Sequence, residues 1–279
     1  MPHHEQSLRP PDPLPIPVVD NHCHLDIARD EDPPAPYAEV LDAAAEVGVD
    51  RVVQVGCDLA SAAWTVEVID QHRSLLGGVA IHPNGAPALE VAGTLDEACA
   101  QIEQYASHPR VRVIGETGLD YYRTGPDGVP AQQEAFRRHI EMAKRTGLAL
   151  QIHDRDAHED VLRILAEEGA PERTVLHCFS GDMAMARECV RRGYFLSFAG
   201  TVTFKNAREL RNALAVVPTE HLLVETDAPY LTPSPHRGRT NGPFLVPLTV
   251  RAMAETLNCA VPTLCQALSS NSEVVYGPW

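Results

Sequence analysis

Four histidines and two carboxylates carry the chemistry this sequence could do. His22 and His24 form an HxH pair in Asp20-Asn21-His22-Cys23-His24. Glu116 closes the apolar run VRVIGE, His153 closes ALQIH, His177 lies at the end of RTVLHC, and Asp227 follows LLVET. His82 ends a further run, GGVAIH. Residues i and i+2 of a strand face the same side, so His22 and His24 can grip one ion. Imidazoles and carboxylates in this number suit one or two divalent ions held by nitrogen and oxygen, with no thiolate. Each residue alone has a plainer reading. An HxH arises by chance, a single strand-end histidine is usually a hydrogen-bonded structural residue, and Glu116 could be a rim ion pair. Asp227 could be a turn residue ahead of Pro229. Together those readings require six unrelated coincidences at strand ends, and a binuclear hydrolytic site explains all six.

The elements that must position these groups alternate. Short Val-, Ile- and Leu-rich runs at 16–20, 51–56, 77–82, 111–116, 149–153, 173–178, 194–198 and 222–226 predict eight strands buried on both faces. Helical patterns lie between them at 38–48, 62–72, 95–106, 132–147, 158–169, 183–193 and 206–215, and 243–257 and 261–270 close the chain. Eight βα units predict an α/β fold, a single-domain (β/α)8 TIM barrel, whose strand ends gather round one mouth. A doubly wound sheet would carry a glycine-rich turn after an early strand, and DNHCHLD has no glycine. The expected organisation is a disordered Pro-rich lead-in over 1–15, with a His3-His4 pair too short to hold a metal, and a hydrolase barrel over 16–279.

Composition narrows the class. The 279 residues hold 23 Lys+Arg against 38 Asp+Glu, a net charge of −15, with 44% apolar residues. Such acidity disfavours non-specific coating of nucleic acid but allows a local basic cleft. The seven cysteines are odd in number and scattered, with no CxxC, which predicts reduced thiols in a cytoplasmic protein. No stretch approaches the roughly 18–20 apolar residues of a membrane span, and the N-terminus is not patterned as a signal peptide. No membrane association and no stable protein partner are expected.

The motifs VVDNHCHLD (18–26), GVAIHPN (78–84), IGETGLDYY (114–122), QIHDRDAHED (151–160), LHCFSG (176–181), SFAGTVTFKNA (197–207), LVETDAPYL (223–231) and HRGRTNGP (236–243) stand in order along the chain. From Val18 to Tyr276 the sequence resembles the TatD-type metal-dependent hydrolases of the amidohydrolase superfamily. The resemblance implies metal ligands at His22, His24, Glu116, His153, His177 and Asp227. Glu116 would bridge two ions, one taking His22, His24 and Asp227 and the other His153 and His177. It implies a 3′→5′ exodeoxyribonuclease with two divalent ions, Mg2+ first, Mn2+ or Zn2+ also suiting the ligands, and DNA single strands or 3′ ends as substrate. Asp227 and Glu116 would be the catalytic carboxylates. His82, Arg155, Lys205, Arg237 and Arg239 are candidate phosphate contacts, and Tyr121, Tyr122 and Phe204 candidate base-stacking rings. Asn84, Asp154 and Gly242 depart from the family's common residues and touch no ligand. The alternative is a hydrolase of a small ester, lactone or phosphotriester on the same barrel. Glu116, where other branches often use a carbamylated lysine, favours the TatD branch.

Overall fold

The computed structural model describes residues 10–29 and 34–279. Eight strands, β1 (Val18–Cys23), β2 (Val49–Gly56), β3 (Leu75–Val79), β4 (Val111–Asp120), β5 (Ala149–Arg155), β6 (Thr174–Leu176), β7 (Phe195–Phe198) and β8 (Leu222–Val224), follow one another in sequence order. Every neighbouring pair from β1·β2 to β7·β8 is parallel. The ring is joined beyond the end of β8. Cys23 bridges Ala228, the His24 N–H donates to Ala228 O at 2.9 Å, and the Asp227 N–H donates to His22 O at 3.0 Å. The segment that closes the barrel therefore also carries Asp227.

Ten helices cover the outside among the described residues. The expected helix at 95–106 is observed as Leu95–Ala106. The helix at Leu59–Gln71 starts earlier than its apolar pattern, because Asp58 and Ser61 form a reciprocal capping box. The short helix Ala86–Ala92 was not expected, and the last helix runs on from Val261 to Tyr276. The final turn of that helix places Val275 and Tyr276 inside the barrel with Val19, Val53, Val113 and Leu223. Val275 O accepts from Arg173, just before β6, and the Trp279 ring N–H donates to Ser74 O, just before β3. The C-terminal segment therefore plugs the N-terminal end of the barrel and leaves the other end open. A second apolar shell, with Ile69, Ile102, Phe136 and Ile140, lies between strands and helices.

Two expectations change. β4 does not stop at Glu116: Thr117 to Asp120 continue to pair with β5, so Glu116 sits mid-strand. The lead-in expected over 1–15 is docked at Leu14, which is buried and donates its N–H to Val47 O at 2.9 Å. Residues 1–9, with His3-His4, lie outside the described residues. All seven cysteines are free. Among the described residues no single helix is long and apolar enough to cross a membrane.

Candidate metal centre

The candidate residues converge at the open end. β1 loses its register with β2 between Asp20 and Cys23. There the Asp20 carboxylate accepts from the His22 N–H at 3.3 Å and the Thr226 N–H at 2.9 Å, tying β1 to the end of β8. Burial pushes the Asp20 carboxyl up to about 7. His22 and His24 then bring their Nε2 atoms to 3.2 Å from one another.

Glu116 is aimed inward by a register break in β4 between Ile114 and Thr117. The approach of β4 to β5 demands glycine on either side. A Cβ on Gly115 would meet the Gln151 Cβ at 2.6 Å, and one on Gly118, whose φ is +136°, would stand 2.1 Å from His153 O. The two Glu116 oxygens face different partners. Oε1 lies 2.5 Å from His153 Nδ1, 2.8 Å from His177 Nε2 and 3.4 Å from His82 Nε2. Oε2 lies 3.5 Å from His22 Nε2, 3.7 Å from His24 Nε2 and 3.5 Å from Cys57 Sγ. Asp227 Oδ1 is 3.5 Å from His24 Nε2 and 3.9 Å from His22 Nε2, on a residue held at φ +55°. A non-glycine residue in that region stores backbone strain, a feature concentrated at functional sites.

Groups behind the histidines fix the direction of their lone pairs. Gln151 Oε1 lies 2.8 Å from His22 Nδ1, Val55 O lies 2.8 Å from His24 Nδ1, and Glu225 Oε1 lies 3.1 Å from His177 Nδ1. Each acceptor calls for a proton on Nδ1, which leaves the Nε2 lone pair pointing into the site. Asp120 Oδ2 stands 3.3 Å from His153 Nε2, so that ring turns Nδ1 inward. The electrostatics follow. Burial opposes ionisation of Glu116, but His177, His82 and His153 outweigh it and hold the carboxyl well below its usual range. Burial likewise opposes protonation of His177, yet Glu116 and Glu225 raise it well above an ordinary histidine. His153 is raised to about 9 against its own burial by Asp120 and Glu116. Burial, with His177 stacked alongside, lowers His22. A divalent cation fits this site: inward lone pairs, braced rings and an ionised carboxylate with one oxygen toward each donor group.

The site opens into a cleft of about 590 Å3. Of the candidate phosphate contacts, His82 and Arg155 line it, whereas Lys205, Arg237 and Arg239 do not. Arg155 lies over the Tyr122 ring at 3.9 Å, and Arg237 over the Phe204 ring at 4.0 Å. The Tyr121 hydroxyl donates to Asp160. Of the departures, the Asn84 side-chain amide donates to Asp120 at 3.1 Å and Asp154 pairs with His158 at 2.8 Å. The Gly242 N–H bonds the Asn241 side chain. The sequence reading missed Asp120, Gln151, Glu225 and Cys57. Strand parity could have pointed to Gln151, which lies two residues before His153 on β5; Glu225 lies beyond the end of β8, where parity no longer holds. No spacing marked Cys57, and its thiol contradicts the expected absence of sulfur from the site.

An eight-stranded parallel barrel with imidazoles and carboxylates collected at its C-terminal mouth defines a class, the barrels that keep a metal-binding centre where their strands end. The chain belongs to the TatD-related DNase family, whose model matches residues 19–277. It is 48% identical over 266 residues to an uncharacterized metal-dependent hydrolase, TatD, of Mycobacterium tuberculosis, covering 93% of this chain and 98% of that one. It is 35% identical to the uncharacterized metal-dependent hydrolase YabD of Bacillus subtilis, over 93% and 98% of the two chains. Among solved structures it is similar to YJJV, a TatD homolog from Escherichia coli, with a TM-score of 0.85, 25% identity and coverage of 94% and 98%.

Proposed function

We propose that this protein is a metal-dependent hydrolase of phosphodiester bonds, acting as a 3′→5′ exodeoxyribonuclease on single strands or 3′ ends. The observation that carries this reading is Glu116, whose two carboxylate oxygens face different imidazoles, Oε1 toward His153 and His177 and Oε2 toward His22 and His24. Glu116 with His22, His24 and Asp227 would hold one divalent ion, and Glu116 with His153 and His177 a second. When bound, the ions lower the pKa of a water and polarise the phosphoryl oxygen it attacks.

The chain's own residues do the rest. Asp227 Oδ1, beside His22 and His24, orients the water and accepts its proton. Arg155, steadied on the Tyr122 face and lining the cleft, grips a flanking phosphate oxygen. His82, which lines the cleft, would donate a hydrogen bond to the scissile phosphate. Lys205, Arg237 and Arg239 serve at most a longer strand, since they stand outside the cleft lining. The family's description as DNases supports nucleic acid as substrate.

The test is a short single-stranded DNA labelled at its 5′ end and incubated with metal-stripped protein, with and without Mg2+, Mn2+ or Zn2+. Glu116→Ala is the control. The expected result is a metal-dependent ladder shortening from the 3′ end and absent in the control. Metal binding without cleavage would move the substrate to a small ester, lactone or phosphotriester.

A further inference from the structure

Cys57 is the first residue after β2, at the same mouth as the histidines. Its backbone is fixed on both sides: the N–H donates to Ser61 Oγ at 2.9 Å, and the carbonyl accepts from the His82 N–H at 2.8 Å. Its side chain lines the cleft. Sγ lies 3.5 Å from Glu116 Oε2 and 3.8 Å from His24 Nδ1, the ring nitrogen that also faces Val55 O. His24, Cys57 and Glu116 each offer a donor atom, and the three atoms lie within 4.8 Å of one another. Nothing in the proposed hydrolysis uses this thiol.

The donor set decides which ions compete well. Mg2+ is hard, seeks oxygen in near-octahedral geometry and keeps several waters. Here the oxygen donors in the clusters are Glu116 and Asp227, against the imidazoles of His22, His24, His82, His153 and His177, with a thiol among them. Imidazole and thiolate together select zinc and similar ions.

We propose that Cys57 is a ligand of the ion on the Glu116 Oε2 side, and that this position is a site for a thiophilic divalent ion, Zn2+ foremost, rather than for Mg2+. On binding, the Cys57 S–H bond breaks, the sulfur keeps the electron pair and forms the bond to the ion, and the proton leaves to solvent. The proposal rests on the metal reading above and is separable from it. It concerns which ion is held there, and it stands whichever bond the protein hydrolyses.

The experiment titrates metal-stripped full-length protein with Co2+ and follows the spectrum. Visible ligand-field bands report binding of the ion, and a near-ultraviolet sulfur-to-cobalt charge-transfer band reports the thiolate. Both are expected in the unaltered protein. The charge-transfer band disappears in Cys57→Ser and persists in Cys178→Ser, which changes the other thiol lining the cleft. Zn2+ affinity, measured by chelator competition, falls in Cys57→Ser by at least the roughly ten- to hundred-fold that loss of a ligand's supporting partner costs, while Mn2+ affinity holds. A second measurement needs no variant: Zn2+ shields Cys57 from alkylation, read by peptide mass spectrometry, and Mn2+ does not. Ligand-field bands without a charge-transfer band, or equal shielding by the two ions, overturns the proposal and leaves the hydrolase reading standing. No cobalt binding at all overturns the metal reading and this proposal with it.

Discussion

The side-chain oxygen of Gln151 lies 2.8 Å from Nδ1 of His22, joining β5 to β1 through the barrel interior. The same amide donates from Nε2 to Asn21 O at 2.7 Å and to the Tyr276 hydroxyl at 2.9 Å. One side chain thus braces a candidate ligand and ties it to the helix that plugs the far end of the barrel. Gln151→Leu should weaken metal binding about ten- to a hundred-fold, because the His22 ring loses its tautomer and its aim. It should also cost about 1–3 kcal/mol of stability, since buried partners are left without a bond. Isothermal titration with Mn2+ and denaturant unfolding, run side by side, separate the two effects.

Asp227→Asn keeps the size of the side chain and removes its basicity. Turnover should fall about 10²–10⁴-fold with a much smaller change in KM, as for loss of a general base. Steady-state kinetics on the cleaved oligonucleotide check this, and a variant with normal turnover would remove Asp227 from proton transfer.

Metal uptake should release protons at neutral pH. In the metal-free protein His153 is raised to about 9 by Asp120 and Glu116, against the opposing effect of its burial, and His177 is also raised well above its usual value. A group raised in the folded state contributes stability that is complete below its unfolded value, near 6.5, and is lost as pH climbs through its folded value. The metal-free protein should therefore lose stability between about pH 6.5 and 9, while its affinity for metal rises over the same window. Melting temperatures with EDTA and with Mn2+ should diverge as pH increases. Calorimetric binding enthalpies should depend on the ionisation enthalpy of the buffer.

Gly118→Ala should be among the most damaging substitutions outside the ligand set. Its φ of +136° excludes a side chain, and the new Cβ would stand 2.1 Å from His153 O. A loss of more than about 4 kcal/mol is expected, with displacement of His153. A metal titration of whatever protein folds should show the loss of affinity as well.

Arg155→Ala should weaken DNA cleavage through KM and leave metal binding unchanged. Arg155 lines the cleft but is absent from the groups able to hold an ion. If it contacts one phosphate, the slope of log affinity against log salt should shrink by about 0.7 for a single strand. Binding of an uncleavable oligonucleotide across a salt series measures this directly. An unchanged slope would place Arg155 outside the interface.

The eight strands were legible because a parallel sheet covered on both faces must be built from nearly continuous Val, Ile and Leu. His22, His24, His153, His177 and Asp227 were legible as polar interruptions at the ends of those runs. Glu116 was found by the same signal but assigned the wrong place in its strand. The residues after it, ETGLD, look like a loop, and only their pairing with β5 keeps β4 going to Asp120.

The sequence by itself determined the barrel rhythm and the types of donor at its mouth, because periodicity and residue chemistry are local properties of a chain. The tertiary structure alone decided which atoms face one another. Curvature of the barrel brings Gln151 to His22 across 129 residues and Glu225 to His177 across 48. It also brings Cys57 to Glu116 across 59. Such contacts are set by how strands tilt and close into a ring, and no spacing along one chain encodes that closure.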